Sequence, residues 1–413
     1  MSTPNASTSL SALTLFRGIT ADPILRQLRD TLCTLSSLGE REFTESSKLS
    51  SIMSDYAEIY TGLMHAQQSV KPSLTAHIAG LLRVSENLFS REAAMRDSSP
   101  ERMDPALEAA TKRELELLRQ VLYLPAAVFT SPIASATGVT MPEWITDKPI
   151  STDAWYRELF AQHQKNGYGQ FSEHHAFVWK NGQLVPVSHP DPILRSGLFS
   201  YEYEISRIDE NTQKLIDGKI AENLLLFGAR GTGKSSAVKA MVNSYRDDGL
   251  RLIEIDQDSL LSMADLLEYL SSYLHTKFTF LLFIDDLVFM ENDKRYNALK
   301  TLLEGGMKTR PRNTVIYATS NRRHFVAEKN DRELYAGDAR NEKLSLSDRF
   351  GIAIRFASAT KDVYVSIVRG ILADRNLSFD PETIDDISVK WAMRENGFSP
   401  RTAKQFCDYY QYS

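Results

Sequence analysis

The sequence predicts an α/β protein: a parallel sheet carrying a glycine-rich loop, preceded by a mainly helical part and followed by a small helical one. Three observations carry that prediction. Five short apolar segments, at 223–227, 251–255, 280–284, 314–318 and 352–356, alternate with helical patterns over most of 191–357. A glycine-rich turn follows the first segment directly. Apolar residues also recur at helical spacing before residue 125 and again from residue 361 onward.

Size and composition bound the rest. A chain of 413 residues has room for two or three domains, each with its own core. A net charge of −5 argues against nucleic-acid binding over the whole surface, while leaving room for a local basic patch. Cys33 and Cys407 are too few for a disulfide framework or a cysteine zinc site. No uninterrupted apolar run reaches the roughly eighteen residues of a membrane span. The opening MSTPNASTSLSALTLFRG lacks the basic start of a signal peptide. A cytoplasmic protein without a membrane partner is the expectation.

The N-terminal domain is drawn at 1–190, with helices near 24–38, 43–66, 74–94 and 104–124. The last has a clear start and stop. Asp104 suits the N-cap, Pro105 the first helical position, and Pro125 ends the pattern. Leu107, Leu115, Leu118 and Leu122 share one face. Beyond Pro125, FTSPIASATGVTMPEW reads as loop, and FVWKNGQLVPV as a short hairpin around Asn181-Gly182. VSHPDPILRSG, with two prolines, reads as a linker. No catalytic constellation is visible here. Neighbouring His174 and His175 point apart on regular structure, so they read as ordinary residues rather than a metal pair.

The middle part, 191–357, holds the chemistry. Gly228, Ala229, Arg230, Gly231, Thr232, Gly233, Lys234 and Ser235 fit the P-loop pattern G-x-x-x-x-G-K-[ST], and Ser236 continues into a helix. The glycines let the backbone curl so that its N–H groups converge on phosphate oxygens. Lys234 brings a compact charge to the β- and γ-phosphates, and the Ser235 hydroxyl can ligate Mg²⁺. The helix start adds the positive end of its dipole. The loop is expected to bind a nucleoside triphosphate.

Four further segments extend the site. FLLFIDDL ends an apolar strand in Asp285 and Asp286, 51 residues after Lys234. Asp285 fits the role of holding Mg²⁺, and Asp286 that of polarising an attacking water. TVIYATSNRRH ends the next strand near Asn321, whose amide can orient that water by donating and accepting. Arg349, before the fifth segment, could reach a neighbouring subunit's nucleotide, with Arg323, Arg332, Arg340 and Arg355 as competitors. In GFSPRTAKQF, Ser399 suits an N-cap and Arg401 could reach the phosphates from the C-terminal helical part, 358–413.

GARGTGKS, LLFIDD, ATSN, SDRFG and GFSPRTA, in that order, resemble the AAA+ ATPases. HPDPI, RGTGKSS, SNRRH and LSLSDRFG extend the likeness to a bacterial family of AAA+ ATP-binding proteins with a domain of unknown function. The resemblance covers about 188–413. It implies a P-loop NTPase core with a five-stranded parallel sheet, a helical lid, ATP with Mg²⁺ held between subunits, and a ring-like homo-oligomer. One departure matters. The family usually has Asp-Glu where this chain has Asp285-Asp286. Aspartate sets its carboxylate back by roughly an ångström, a displacement that can lower a rate on the order of a hundredfold.

The favoured reading is an ATPase, slow but real, because Asn321, Arg349 and Arg401 are not needed for affinity alone. The alternative is a nucleotide-gated switch. No Asn-Lys-x-Asp motif supports a GTPase, and a small-molecule kinase would not explain the order of motifs. The partner is expected to be a macromolecule read by the N-terminal part. A nucleic-acid loader using Lys308, Arg310, Arg312, Arg322 and Arg323 is the second choice, since nearby acids favour a solvated face.

Overall fold

A computed structural model describes residues 4–37, 46–289, 293–304, 310–321, 348–395 and 397–411. The chain forms two compact units, Met1–Glu173 and His174–Ser413.

The first unit is helical. Its helices are α1 (Pro4–Ser11), α2 (Pro23–Ser37), α3 (Ser46–Gln67), α4 (Leu74–Val84), α5 (Leu88–Ala93), α6 (Pro105–Leu122), α7 (Ala127–Thr137), α8 (Thr152–Asn166) and α9 (Gln170–Glu173). They enclose a core in which Leu28, Tyr56, Leu82, Phe89, Leu115 and Phe129 are buried. Helix α6 starts as expected: the Asp104 carboxylate accepts from the N–H groups of Ala106 and Leu107 at 2.8 and 3.1 Å.

Two readings of this unit change. The helix expected near 74–94 is two helices, because Asn87 caps α5 in a capping box with Ser90. The stretch after Pro125 read as loop contains α7, even with Pro132 inside it, and ends at Gly138 with φ 73°. Burial of Phe129 and Ile133 outweighs the local helix breaker. The helical stretch Pro105–Thr137 is long and apolar enough to cross a membrane by composition, yet it places Leu115, Leu118 and Phe129 in this core.

The second unit is a sheet in the order β2-β1-β4-β5-β6-β3-β7. Its strands are β1 (Ala176–Lys180), β2 (Gln183–Pro186), β3 (Leu224–Gly228), β4 (Leu250–Ile255), β5 (Thr279–Ile284), β6 (Thr314–Ser320) and β7 (Ile352–Phe356). The five expected strands are β3 to β7, and they pair in parallel. The sheet has seven strands rather than five, because the hairpin joins it. Asn181 and Gly182 turn with φ 53° and 74°, and β1 then lies parallel to β4, with Phe177 opposite Ile253. Burial of Ala176, Phe177 and Trp179 ties β1 to that edge. The hairpin drawn into the 1–190 domain therefore belongs to the sheet unit, which begins at His174.

Every residue of β5 and β6 is buried, as central strands of a parallel sheet require. Helices α10 (Glu202–Ile216), α11 (Lys234–Tyr245), α12 (Met263–Ser271) and α13 (Lys294–Glu304) belong to the sheet part. The C-terminal helices α14 (Lys361–Asp374), α15 (Pro381–Arg394) and α16 (Pro400–Gln411) share a small core of their own around Tyr364, Val368, Leu372 and Phe406.

Candidate functional site

The chain runs from β3 across the sheet to β4, returns through β5 and β6, and then passes to β7 on the far side of β3. The carboxyl ends of strands at such a crossing are where open α/β sheets bind ligands. Here they carry the expected residues. β3 ends in Gly228, whose φ is 145° and where an added Cβ would lie 2.0 Å from the Phe356 carbonyl oxygen. Only glycine fits so close to β7. Gly231 and Gly233, at φ 76° and 91°, complete the curl, and α11 starts at Lys234.

Lys234 is buried, and its ammonium donates to the carbonyls of Gly228 at 2.9 Å and Ala229 at 2.7 Å. The Asn321 amide oxygen lies 3.4 Å away. Burial holds the Lys234 pKa below its ordinary value, Asp285 and Asp286 oppose that shift, and Arg401 and Arg230 reinforce it.

The two aspartates occupy different surroundings. Asp285 Oδ1 accepts from the Ser235 hydroxyl at 2.7 Å and the Thr319 hydroxyl at 2.5 Å. Asp286 instead accepts from the Asn321 side-chain amide and lies 3.9 Å from the Arg230 guanidinium. Ser235 and Asp285 together offer hard oxygen ligands beside the loop. Among the described residues no group of three or more His, Cys, Asp or Glu side chains could cage a metal. That donor set fits Mg²⁺, which keeps several waters and takes phosphate oxygens.

The lid meets the loop directly. Ser399 caps α16 by accepting from the Thr402 N–H at 3.1 Å, and the Arg401 N–H donates to the Gly231 carbonyl at 3.3 Å. Between lid and strand ends lies a cavity of about 500 Å³. Arg230, Gly231, Thr232, Gly233, Lys234, Ser235, Ser236, Asp285, Asp286, Asn321 and Arg401 all line it. Gly228 and Ala229 act one layer out, through the carbonyls that hold Lys234.

Arg349 is not among the lining residues; it forms an ion pair with Glu304 at the end of α13. Of its competitors, Arg355 is exposed on β7, and Arg323, Arg332 and Arg340 lie outside the described residues. The basic cluster is likewise only partly described. Arg310 is spent on structure, donating to Asn223 Oδ1 at 3.0 Å and the Ala221 carbonyl at 2.9 Å. Arg312 is exposed, and Lys308, Arg322 and Arg323 lie outside the described residues.

Several lining residues carried no assigned role in the sequence. Lys404 stands one helical turn after Arg401, a spacing that could have revealed it. Thr319 stands in the ATSN motif but carried no role of its own there. The apolar wall, with Ile193, Leu198, Phe199, Tyr201, Ile367 and Ile371, comes from the linker, the residues just after it, and the lid. Tyr201 is fixed by donating from its hydroxyl to the Ala357 carbonyl at 2.8 Å. A cationic side for phosphates and an apolar wall for a base suit a nucleotide.

The place of β3 decides the class. Because the loop-bearing strand sits inside the sheet, between β6 and β7, the acidic pair and the amide approach the loop from one side while the lid follows β7 on the other. That is a P-loop arrangement, the one that the resemblance to the AAA+ ATPases implies. Within it, the chain belongs to the family described as "Protein of unknown function (DUF815)", which matches residues 172–413. No curated protein matches the chain. Among solved structures, the Holliday junction branch migration motor RuvB of Thermotoga maritima is similar at 13% identity and a TM-score of 0.38. That match covers 54% of this chain and 65% of that one. A DNA replication initiation factor is similar at 16% identity and a TM-score of 0.36, over 55% of this chain and 66% of that one. The chain thus spans under two thirds of the length of either.

Proposed function

We propose that the chain hydrolyses ATP to ADP and phosphate, and uses the cycle to remodel or load a macromolecular partner in the cytoplasm. The observation that carries this reading is the division between the two aspartates. Asp285 is bonded to the loop's Ser235, whereas Asp286 faces Asn321 beside Lys234. That division supports a cation at one carboxylate and a water at the other.

Lys234 and Arg401 bind the phosphates, and the apolar wall receives the base. Ser235 and Asp285 would hold Mg²⁺, whose charge neutralises the phosphate oxygens when bound. Asn321 orients a water and Asp286 accepts its proton as the water oxygen bonds to the γ-phosphorus. The bond from that phosphorus to the bridging oxygen breaks, and ADP leaves. In a homo-oligomer, Arg349 of one subunit leaves Glu304 and reaches the next subunit's nucleotide. The N-terminal unit recognises the partner.

A nucleotide-gated switch is the second reading. It is favoured by the short Asp286 side chain and its engagement by Asn321. Single-turnover hydrolysis of labelled ATP separates the two. Wild type should hydrolyse, and Asp286→Asn should bind ATP normally while turning over at least about tenfold more slowly. Assembled wild type that binds ATP and shows no hydrolysis above buffer would sink the enzyme reading in favour of the switch.

A further inference from the structure

Thr319 is the penultimate residue of β6 and is 2% exposed. Its hydroxyl serves both aspartates. It donates to Asp285 Oδ1 at 2.5 Å and accepts from the Asp286 backbone N–H at 2.9 Å. A hydroxyl has one proton and two acceptor lone pairs, so its proton is committed to Asp285 and one lone pair to Asp286. The main chain repeats the tie one residue on, where the Leu287 N–H donates to the Thr319 carbonyl at 2.8 Å.

Both ends of this bridge bear on chemistry. Asp285 Oδ1 also receives the Ser235 hydroxyl at 2.7 Å. Two hydroxyl protons thus occupy that oxygen and fix the carboxylate's orientation beside the loop. Asp286 has φ 50°, in the left-handed region that aspartate tolerates better than most residues with a Cβ but adopts in a minority of cases. Its N–H donates to the Thr319 hydroxyl at 2.9 Å and more distantly to Asp285 Oδ1 at 3.2 Å, and its carbonyl accepts from the Gln257 side-chain amide at 3.2 Å. Aspartate has a single methylene, so where its carboxylate lands is set mainly by the backbone. Releasing the peptide between Asp285 and Asp286 would move that carboxylate out of register with Asn321.

We propose that Thr319 is a positioning residue, whose one hydroxyl aligns Asp285 for the cation and holds Asp286 in the backbone conformation that aims its carboxylate at water. The Asp286 half rests on the hydrolysis reading above; the Asp285 half requires only Mg²⁺-dependent nucleotide binding.

The test uses the full chain with Thr319→Val, which keeps the shape and removes the hydroxyl, and Thr319→Ser, which restores it. Thr319→Ala serves as a second hydroxyl-free variant should valine prevent folding. Loss of the hydroxyl should lower single-turnover hydrolysis at least about tenfold with KM little changed. It should also raise the Mg²⁺ concentration that half-maximally tightens ATP binding by about tenfold, with Mg²⁺-free affinity unchanged. Serine should return both readouts to within about threefold of wild type. A hydroxyl-free variant with wild-type turnover and a wild-type Mg²⁺ titration overturns the proposal. So does a folded serine variant as impaired as valine, since shape rather than the hydroxyl would then be at work. If wild type itself does not hydrolyse ATP, the functional reading falls, and the Mg²⁺ titration alone decides Thr319.

Discussion

The helical unit buries a carboxylate and the sheet unit half-buries one, and they use them in opposite ways. In the helical unit Glu114 is 1% exposed and accepts from the backbone N–H groups of Thr14, Leu15 and Phe16 at 2.9, 2.8 and 2.9 Å. The Thr14 hydroxyl donates to it as well. Burial raises its pKa, but those donors outweigh burial and leave it below the ordinary glutamate value. Every one of these bonds points into the unit, pinning the segment after α1 to α6. In the sheet unit Asp285 is also crowded by donors, yet it lines the cavity and shares one of them with the loop. A buried charge whose bonds all close inside is structural. One that also lines a cavity is open to a ligand.

The largest expected effect is also the one that could break this distinction. Arg349 is closed in an ion pair with Glu304, so by the same reasoning it looks structural. As a finger acting on a neighbour, Arg349→Ala should lower turnover on the order of a thousandfold. Mixing Arg349→Ala with Asp286→Asn subunits should then restore part of the activity, because some interfaces contain both intact groups. A co-assembled mixture as inactive as its components would leave Arg349 on the structural side.

Next in size is Lys234→Ala. It removes a charge-assisted contact worth about 1.5–3 kcal/mol, which corresponds to roughly ten- to hundredfold in ATP affinity. Calorimetry showing unchanged affinity would remove the loop from the functional side. Glu114→Gln should do the reverse. It should destabilise the helical unit by about 1–3 kcal/mol, through donors left poorly satisfied, with ATP affinity unchanged. Hydrogen exchange on the intact chain reads the two units separately.

The smallest effect is a pH dependence of the helical unit. Buried His163 donates from Nδ1 to the Gly167 carbonyl at 3.0 Å, and burial lowers its pKa. A histidine held neutral in the fold contributes stability that falls as pH drops below its unfolded value near 6.5. Glu114, whose folded pKa is depressed, contributes stability that is present above its unfolded value of about 4.3 and lost as pH falls through the folded one. Exchange protection of the helical unit should therefore decline first below about pH 6.5 and again below about pH 4.3. Protection that is flat across both windows would contradict these assignments.

Much of the site was legible because its signals are local. The loop from Gly228 to Ser236 is contiguous, and each residue type follows from curling a backbone around phosphate. Asp285 and Asn321 could be placed because each follows a continuous apolar strand, which fixes the end of the sheet they occupy. Asp104 and Ser399 were readable as caps because a cap bonds residues two or three positions away. The helix α7 was missed because its Pro132 is a local signal, while the burial that overrides it comes from other helices.

By itself, then, the sequence determined the loop chemistry, the five central strands and the helical lid, all through short-range patterns of glycine, charge and apolar spacing. Only the tertiary structure decided that the Asn181-Gly182 hairpin extends the sheet to seven strands, since an open edge on β4 is a property of strand order and not of any one segment. It alone brought the linker's Ile193, Leu198 and Phe199 just after it, and the lid's Ile367 to one apolar wall. It alone set the Thr319 hydroxyl between two aspartates that lie more than thirty positions away in sequence. Contacts of that range depend on parallel pairing between strands and on the docking of a separate helical core, and no local pattern encodes either.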